Sequence, residues 1–494
     1  MGIVIRQSFW NLLFNYGGVA IGYVNKILLF TAFLTREQFG LVELLLTFMV
    51  IGSEVSRLGL NKLIIRFFPY FRKDPTRQGA FVAFTAGYAL IGMAAATLLL
   101  VVFQPFFVQM YEAESPLFVQ YLYWTPLLVV IFSGYNYINA YAQAIMTTVV
   151  PGLIWQMVLR LLHTAIILWY AFGNQDFDQF VALYVLSHGV CFLLMAGYVL
   201  AQKQLGWSWQ VKVLPRRFRK LMVGYSGFST LTDATSVLLD KIDIAMIGLL
   251  IGEAEAGAYA VAYYIAILIL MPARAMNAIL IPLVSRRAQE RNFEEIGALY
   301  KKSSLNNLIV GGLFYLGIVL CIDPFFELAP KHASGKWSAI ILGAAMLFNI
   351  GTSINRIILI NSRFFKFDFA ANIVLLVLAI TTNYLLIPPL GITGAAIATF
   401  VSISLINSVL TWYVYRKFRI QPFSRGTLVT LGLLTATGLL VYLIPMPFPP
   451  LIVIALRAVL AGSLFGGAVF LLKLSPELNG VVFTLLRRAK LIRS

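Results

Sequence analysis

The chain has 494 residues, of which 60% are hydrophobic and only 12% charged, and it carries a net charge of +18. A soluble domain holds about 25% charged residues, so these proportions exclude one. They exclude a nucleic-acid binder too, because the Lys and Arg residues punctuate apolar runs and do not cluster on a polar domain.

In chain order the hydrophobic pattern predicts fourteen membrane-spanning helices, each sized for a ~30 Å hydrocarbon core. They cover 8–34, 39–65, 79–104, 117–140, 150–172, 178–201, 222–251, 257–281, 303–322, 337–360, 367–387, 391–415, 426–446 and 451–473. The fold class is therefore an all-α polytopic membrane protein. The first segment is too long for the h-region of a cleaved signal and is expected to remain as the first span. Asn136, Asn139 and Gln143 blur the end of the fourth. Cys191 and Cys321 lie far apart inside apolar runs, which offers neither a disulfide framework nor a cysteine metal site.

Loop charge sets the orientation. Arg66, Arg72, Lys73, Arg77, the basic stretch 203–220, Arg286, Arg287, Arg291 and the later basic loops fall on one side. The opposite loops hold only Arg36, Lys331 and Lys336. The basic side is predicted to be cytoplasmic, with both termini there. The other loops are short and acidic, and none is long enough for a folded domain. The tail, 476–493, alternates apolar residues at helical spacing with Arg487, Arg488, Lys490 and Arg493. It reads either as an amphipathic helix on the inner leaflet or as a plain positive-inside anchor.

An internal repeat organises the whole. LTREQFGLVELLLTF at 34–48 is similar to IGEAEAGAYAVAYYI at 251–265, which aligns Gly40 with Gly257. The same shift brings Arg57 onto Arg274. The predicted organisation is a six-helix bundle over 1–201, a basic cytoplasmic linker over 202–221 and a second six-helix bundle over 222–415. A terminal helix pair over 416–473 and a cytoplasmic tail over 474–494 complete it.

Charge inside spans marks the candidate working surface, since an ionised side chain at mid-bilayer costs roughly 2.5–3.5 kcal/mol on insertion scales. In segment 222–251, Ser226, Thr230, Asp233, Ser236, Asp240 and Asp243 step by three or four residues and share a helix face, with Lys241 at its rim. The first segment aligns Asn11, Asn15, Gly18, Gly22 and Asn25, with Lys26 beside them. The second carries Glu54, Arg57 and Asn61 on one face. Lys26, Arg57, Arg274 and Lys241 are the candidate anion-binding groups of a polar cavity, arginine being suited to phosphate by its planar fork. Glu54, Asp233, Asp240 and Asp243 are candidates for ion coupling. Asp233 leads because it lies near mid-membrane, short of a permanent cation, whereas Asp240 suits a structural pair. The competing reading is that Glu54–Arg57 and Lys241 with Asp240 or Asp243 are structural pairs. Single buried cations Arg160, Arg356 and Arg457 read equally well as paired or snorkelling. His163 and His188 read as hydrogen-bonded structural histidines.

No GxxxxGK[ST], HExxH or GxSxG occurs in the sequence. The expectation is therefore a transporter that is no enzyme and needs no cofactor, driven by a proton or sodium gradient or by the membrane potential.

The fourteen-segment layout, LLTFMVIGSEVSRLGLNKLIIRFFPYF and LLIPPLGITGAAIATFVS together resemble the polysaccharide-transport branch of the multidrug/oligosaccharidyl-lipid/polysaccharide exporter superfamily, its O-antigen-type flippases above all. The resemblance implies movement of undecaprenyl-diphosphate-linked oligosaccharide from the inner to the outer leaflet of a bacterial inner membrane. It implies alternating access without ATP hydrolysis, in service of lipopolysaccharide or other surface polysaccharide. It also implies a cation-lined cavity, which Lys26, Arg57 and Arg274 match. The implied partners are the lipid-linked oligosaccharide, membrane lipids and polysaccharide assembly enzymes, with no nucleic acid. The alternative within the superfamily is an ion-coupled exporter of small amphipathic cations, bound by Asp233, Asp240 and Asp243.

Overall fold

The computed structural model describes residues 2–173 and 175–480, and among these there are helices and connecting turns but no β-strand. The chain divides into two compact units, 1–257 and 258–494.

In the first unit, α1 (Gly2–Tyr23) runs into a π-helical turn, Val24–Leu29. Helix α2 (Arg36–Arg57) opens with a capping box in which Thr35 Oγ1 accepts from the Gln38 N–H at 3.2 Å and Gln38 Oε1 accepts from the Thr35 N–H at 3.0 Å. The second predicted segment, 39–65, reads as one straight helix, and the structure breaks it. Leu58 and Gly59 are both left-handed, with φ of 46° and 71°, and α3 (Leu60–Phe71) starts on a new axis. Glycine permits this because the Ser226 backbone carbonyl occupies the place a Cβ would need. The Leu58 carbonyl, freed by the break, accepts a hydrogen bond from the Ser226 hydroxyl. Helix α3 buries Leu63, Ile64, Phe67, Phe68 and Phe71 and leaves Lys62 and Arg66 exposed, an i, i+4, i+8 stripe.

Asp74 caps α4 (Pro75–Val102), accepting from the Thr76 and Arg77 N–H groups at 3.0 and 3.2 Å. Then follow α5 (Trp124–Ala144), a second π-helical turn Ile154–Val158, α6 (Leu159–Phe172) and α7 (Phe177–Ala201). The predicted linker, 202–221, includes Leu214, which is buried beside Phe67, Phe71, Phe81 and Tyr141 in an aromatic core. Helix α8 (Arg216–Leu250) opens the second half in sequence but packs on α2 and α3 in the first unit.

Helix α9 (Glu253–Ile267) leads to α10 (Leu270–Gln289) through a bend of 51°. The second unit continues with α11 (Phe293–Leu328), α12 (Lys336–Gly351), the short α13 (Asn355–Ile360) and α14 (Phe365–Phe418). Helices α15 (Arg425–Tyr442) and α16 (Pro450–Leu471) close it, packing Leu434 and Phe465 against Leu316 and Leu320 of α11.

Ten helices among the described residues are long and apolar enough to cross a membrane, or up to eleven with the bent pair α9–α10 as one span, against the fourteen predicted. The differences have local causes. Helix α14 covers two predicted segments, turning at Pro388, Pro389 and Gly391, the last with φ 61° and ψ −144°. Helix α5 has Asn136, Asn139 and Gln143 in its second half, and α8 carries Asp233, Asp240, Lys241 and Asp243, so both fall short on apolarity. The predicted tail helix, including Arg487, Arg488, Lys490 and Arg493, lies mostly outside the described residues.

Gly40 of α2 and Gly257 of α9, aligned by the repeat, pack directly on one another. A Cβ on Gly40 would overlap the Glu253 carbonyl, whereas one on Gly87 of α4 would meet nothing within 4 Å. Gly40→Ala is expected to cost about 1–3 kcal/mol by overpacking, and Gly87→Ala to be neutral or to stabilise by up to about 1 kcal/mol through helix propensity. Thermal unfolding in detergent checks the contrast, which equal melting temperatures for the two variants would refute.

Candidate functional site

The first π-helical turn aims Lys26 inward. A π turn inserts one extra residue and so redirects the side chains that follow. Lys26 Nζ lies 2.5 Å from Glu43 Oε1, and the Glu43 side chain is only 1% exposed. The rings of Phe30, Phe39 and Tyr184 surround the ammonium, with centroids 5.1, 5.6 and 6.0 Å away. Next to it, Asn25 Nδ2 donates to the Arg160 carbonyl and Thr164 Oγ1 donates to Asn25 Oδ1, both at 2.7 Å. His163 stacks on Tyr184 at 4.3 Å and bonds Ser187 Oγ at 3.1 Å, while His188 Nδ1 bonds the Tyr184 carbonyl at 2.9 Å. Both histidines are buried and held by the protein. The side chains of Asn11 and Asn15 lie outside the described residues.

A second cluster sits at the break between α2 and α3. Arg57 pairs with Glu54 one turn back, and its Nε donates to the Ser53 carbonyl at 3.3 Å. Lys62 Nζ meets Asp233 Oδ1 of α8 at 2.6 Å. Asp233 acts electrostatically on both Glu54 and Arg57, so two cations and two carboxylates form one neutral group. Exposure rises across it, from 7% for Glu54 and 14% for Arg57 to 29% for Asp233 and 47% for Lys62. Asp233 is thus not short of a cation, the condition on which its place as leading coupling candidate rested.

Further along α8, Asp240 is exposed and Asp243 buried, and both have partners of their own. Lys241 is half-buried and close enough to act on Lys26 electrostatically. It forms no ion pair among the described residues. In the second unit, Arg274 lies exposed in the second turn of α10, just after the bend. No carboxylate comes within ion-pair distance of it among the described residues. Two other arginines there have partners, although among the described residues Arg457 Nε is buried without one. Arg356 bonds Asn372 Oδ1 at 2.6 Å with Asp368 at 3.5 Å, and Arg457 donates to the Leu320 carbonyl at 2.7 Å. No group of three or more His, Cys, Asp or Glu residues able to hold a metal occurs among the described residues.

Of the predicted groups, Glu54, Arg57 and Asp233 converge on one cluster, and Lys26 has gone to a structural pair. Glu43 and Lys62 escaped the sequence reading. Glu43 was legible in principle, because a carboxylate inside the apolar run 34–48 calls for a cation. Lys62 was hidden by the break at Leu58–Gly59, which turns it toward α8.

Removing one member of a buried pair leaves an uncompensated charge and typically costs about 3–5 kcal/mol. Lys26→Met or Glu43→Leu alone should therefore sharply lower the yield of folded protein and its melting temperature, and the double variant should recover most of both. Recovery absent in the double variant would count against Lys26–Glu43 as a structural pair.

A family model described as polysaccharide biosynthesis protein matches residues 29–305. A curated protein of Haloferax volcanii, named probable low-salt glycan biosynthesis flippase Agl15, is 22% identical over 241 residues, 47% of this chain. The match spans half the length of that relative. Among solved structures, the lipid II flippase MurJ in its inward closed conformation superposes with a TM-score of 0.73 at 11% identity, covering 93% of this chain and 99% of that one. An inward-facing multidrug resistance MATE family transporter of the MOP superfamily gives 0.61 at 13% identity, covering 81% of this chain and 94% of that one. At these identities the likeness is one of fold.

Proposed function

The chain belongs to the polysaccharide biosynthesis protein family, and we propose that it is a flippase that carries a lipid-linked oligosaccharide from the inner to the outer leaflet. The observation that carries this reading is Arg274, an intramembrane arginine for which no carboxylate lies within ion-pair reach among the described residues. Such a cation is completed by an anion from outside, and a diphosphate fits its planar fork with two parallel hydrogen bonds. Within the first unit, Arg57 is a separate candidate, whose partners Glu54 and Asp233 an incoming phosphate can replace. Lys241 of that unit is a further cation with no ion pair among the described residues. The MurJ-like fold, the name of the curated relative and the lack of an ATPase motif support the same reading.

The finer assignment within it is an undecaprenyl diphosphate carrier, an O-antigen-type or related surface glycan, and an inner membrane with both termini cytoplasmic. The protein transports and does not catalyse. Each negative charge moved outward across 100 mV gains about 2.3 kcal/mol, so the membrane potential can drive a diphosphate outward. The pairing of Asp233 with Lys62 weakens the multidrug alternative, which needs free carboxylates.

Vesicles holding the full chain and fluorescent undecaprenyl-diphosphate-linked glycan test the reading. A charge-assisted hydrogen bond is worth about 1.5–3 kcal/mol, so Arg57→Ala and Arg274→Ala should each slow flipping roughly 10–100-fold. The Lys variants should recover part of the rate, since they keep charge and lose the fork. Wild-type rates in both alanine variants at equal incorporation would sink the proposal. An imposed potential should change the wild-type rate. If instead a pH or sodium gradient does so, and Asp233→Asn abolishes that response, Asp233 is a coupling site after all.

A further inference from the structure

The first unit holds a cleft of about 450 Å³ that the charged clusters do not use. One face of α5 lines it, with Phe132, Tyr135, Asn136, Asn139 and Gln143 at successive helical positions. Opposite stand Trp155 and Gln156, both in the second π-helical turn. Single π turns inside helices recur at functional sites because they redirect side chains. Here Gly18 of α1 lets the Gln156 backbone approach closely, as a Cβ there would overlap the Gln156 carbonyl.

The lining divides into two chemistries. Trp155 lies between Tyr135 and Phe132, with ring centroids 4.2 and 5.2 Å away, and the three form an aromatic wall. The rest is amide. Asn136 Nδ2 is occupied by the Phe132 carbonyl at 2.7 Å. Among the described residues, Gln156 Oε1 is buried without a hydrogen-bond partner, and no protein group bonds the amides of Asn139 or Gln143. A buried acceptor left unmade costs about 1–3 kcal/mol, so Gln156 calls for a donor from outside. Among the described residues no Asp, Glu, Lys or Arg side chain lines the cleft, so it offers no full charge to a phosphate or a cation.

We propose that this cleft binds the uncharged sugar part of the transported molecule. A pyranose ring offers an apolar C–H face to stack on an aromatic plane and hydroxyls around its edge that both donate and accept. Side-chain amides, which also donate and accept, match that edge. The volume falls within the range of ordinary ligand pockets, about 300–1,000 Å³. The assignment rests on the flippase reading for the identity of the glycan, while the chemistry of the cleft stands on its own residues. It divides recognition: arginines for the diphosphate, the α5 cleft for the sugars.

The probe is the free oligosaccharide released by mild acid from the lipid-linked pool of the source cells, which carries no lipid and no diphosphate. Saturation-transfer NMR against the full chain in nanodiscs should show saturable contact with sugar protons. Affinity should fall at least tenfold in Trp155→Ala, Gln156→Leu and Asn139→Leu, and be partly kept in Trp155→Phe. Melting temperatures separate a lost site from a lost fold, and Asn139→Leu, at a half-buried position, guards against the latter. Absence of transfer to the wild type, or equal transfer in all variants, overturns the cleft assignment. Vesicles that do not flip while the free oligosaccharide still binds at Trp155 overturn the flippase reading alone.

Discussion

A charge inside a hydrocarbon slab has to find a partner or water, and most of the interior chemistry of this protein follows from that constraint. Lys26 takes Glu43, Arg57 takes Glu54, and Lys62 takes Asp233. Arg356 is shared between Asp368 and Asn372, and Arg457 uses a backbone carbonyl. Lys241 and Arg274, by contrast, form no ion pair among the described residues. Pairing thus acts as a filter. It separates the charges that hold helices together from the remainder, which charge counting along the sequence cannot do.

The same economy governs the backbone. Where a helix is interrupted, polar groups lose their partners, and at the α2–α3 break the structure places a specific partner against them. The break at Leu58–Gly59 meets Ser226. At the first π turn, Asn25 bonds the Arg160 carbonyl and the Thr164 hydroxyl of α6. Polar residues that lower the apolarity of α5 and α8 are therefore also the residues that line a cleft or meet a break. Their cost in membrane affinity is offset by what they contact.

Much of the architecture was legible in sequence, because segment length and apolarity are set by the bilayer itself. Gly40 and Gly257, picked out by their alignment in sequence, are residues the fold brings into contact. Pair identities were less legible. Glu54–Arg57 is local, at i, i+3, and was anticipated, whereas Lys26–Glu43 and Lys62–Asp233 depend on tertiary placement and were not. Helical turns that depart from 3.6 residues also left no periodic signature, so the redirection of Lys26, Trp155 and Gln156 could not be read from spacing. The α5 amides were visible only as a blurred boundary.

The bond from Ser226 to the Leu58 carbonyl has a consequence for how such genes can recombine. It ties α8 to the broken helix of the first unit, together with Lys62–Asp233. A chimaera joined within the basic stretch 202–221 would exchange α8 for a foreign helix and leave that carbonyl and that lysine facing a surface not matched to them. A junction beyond Gly257 keeps α8 with the residues it satisfies. At this end of the protein the residues that depend on one another run to Gly257, α8 included.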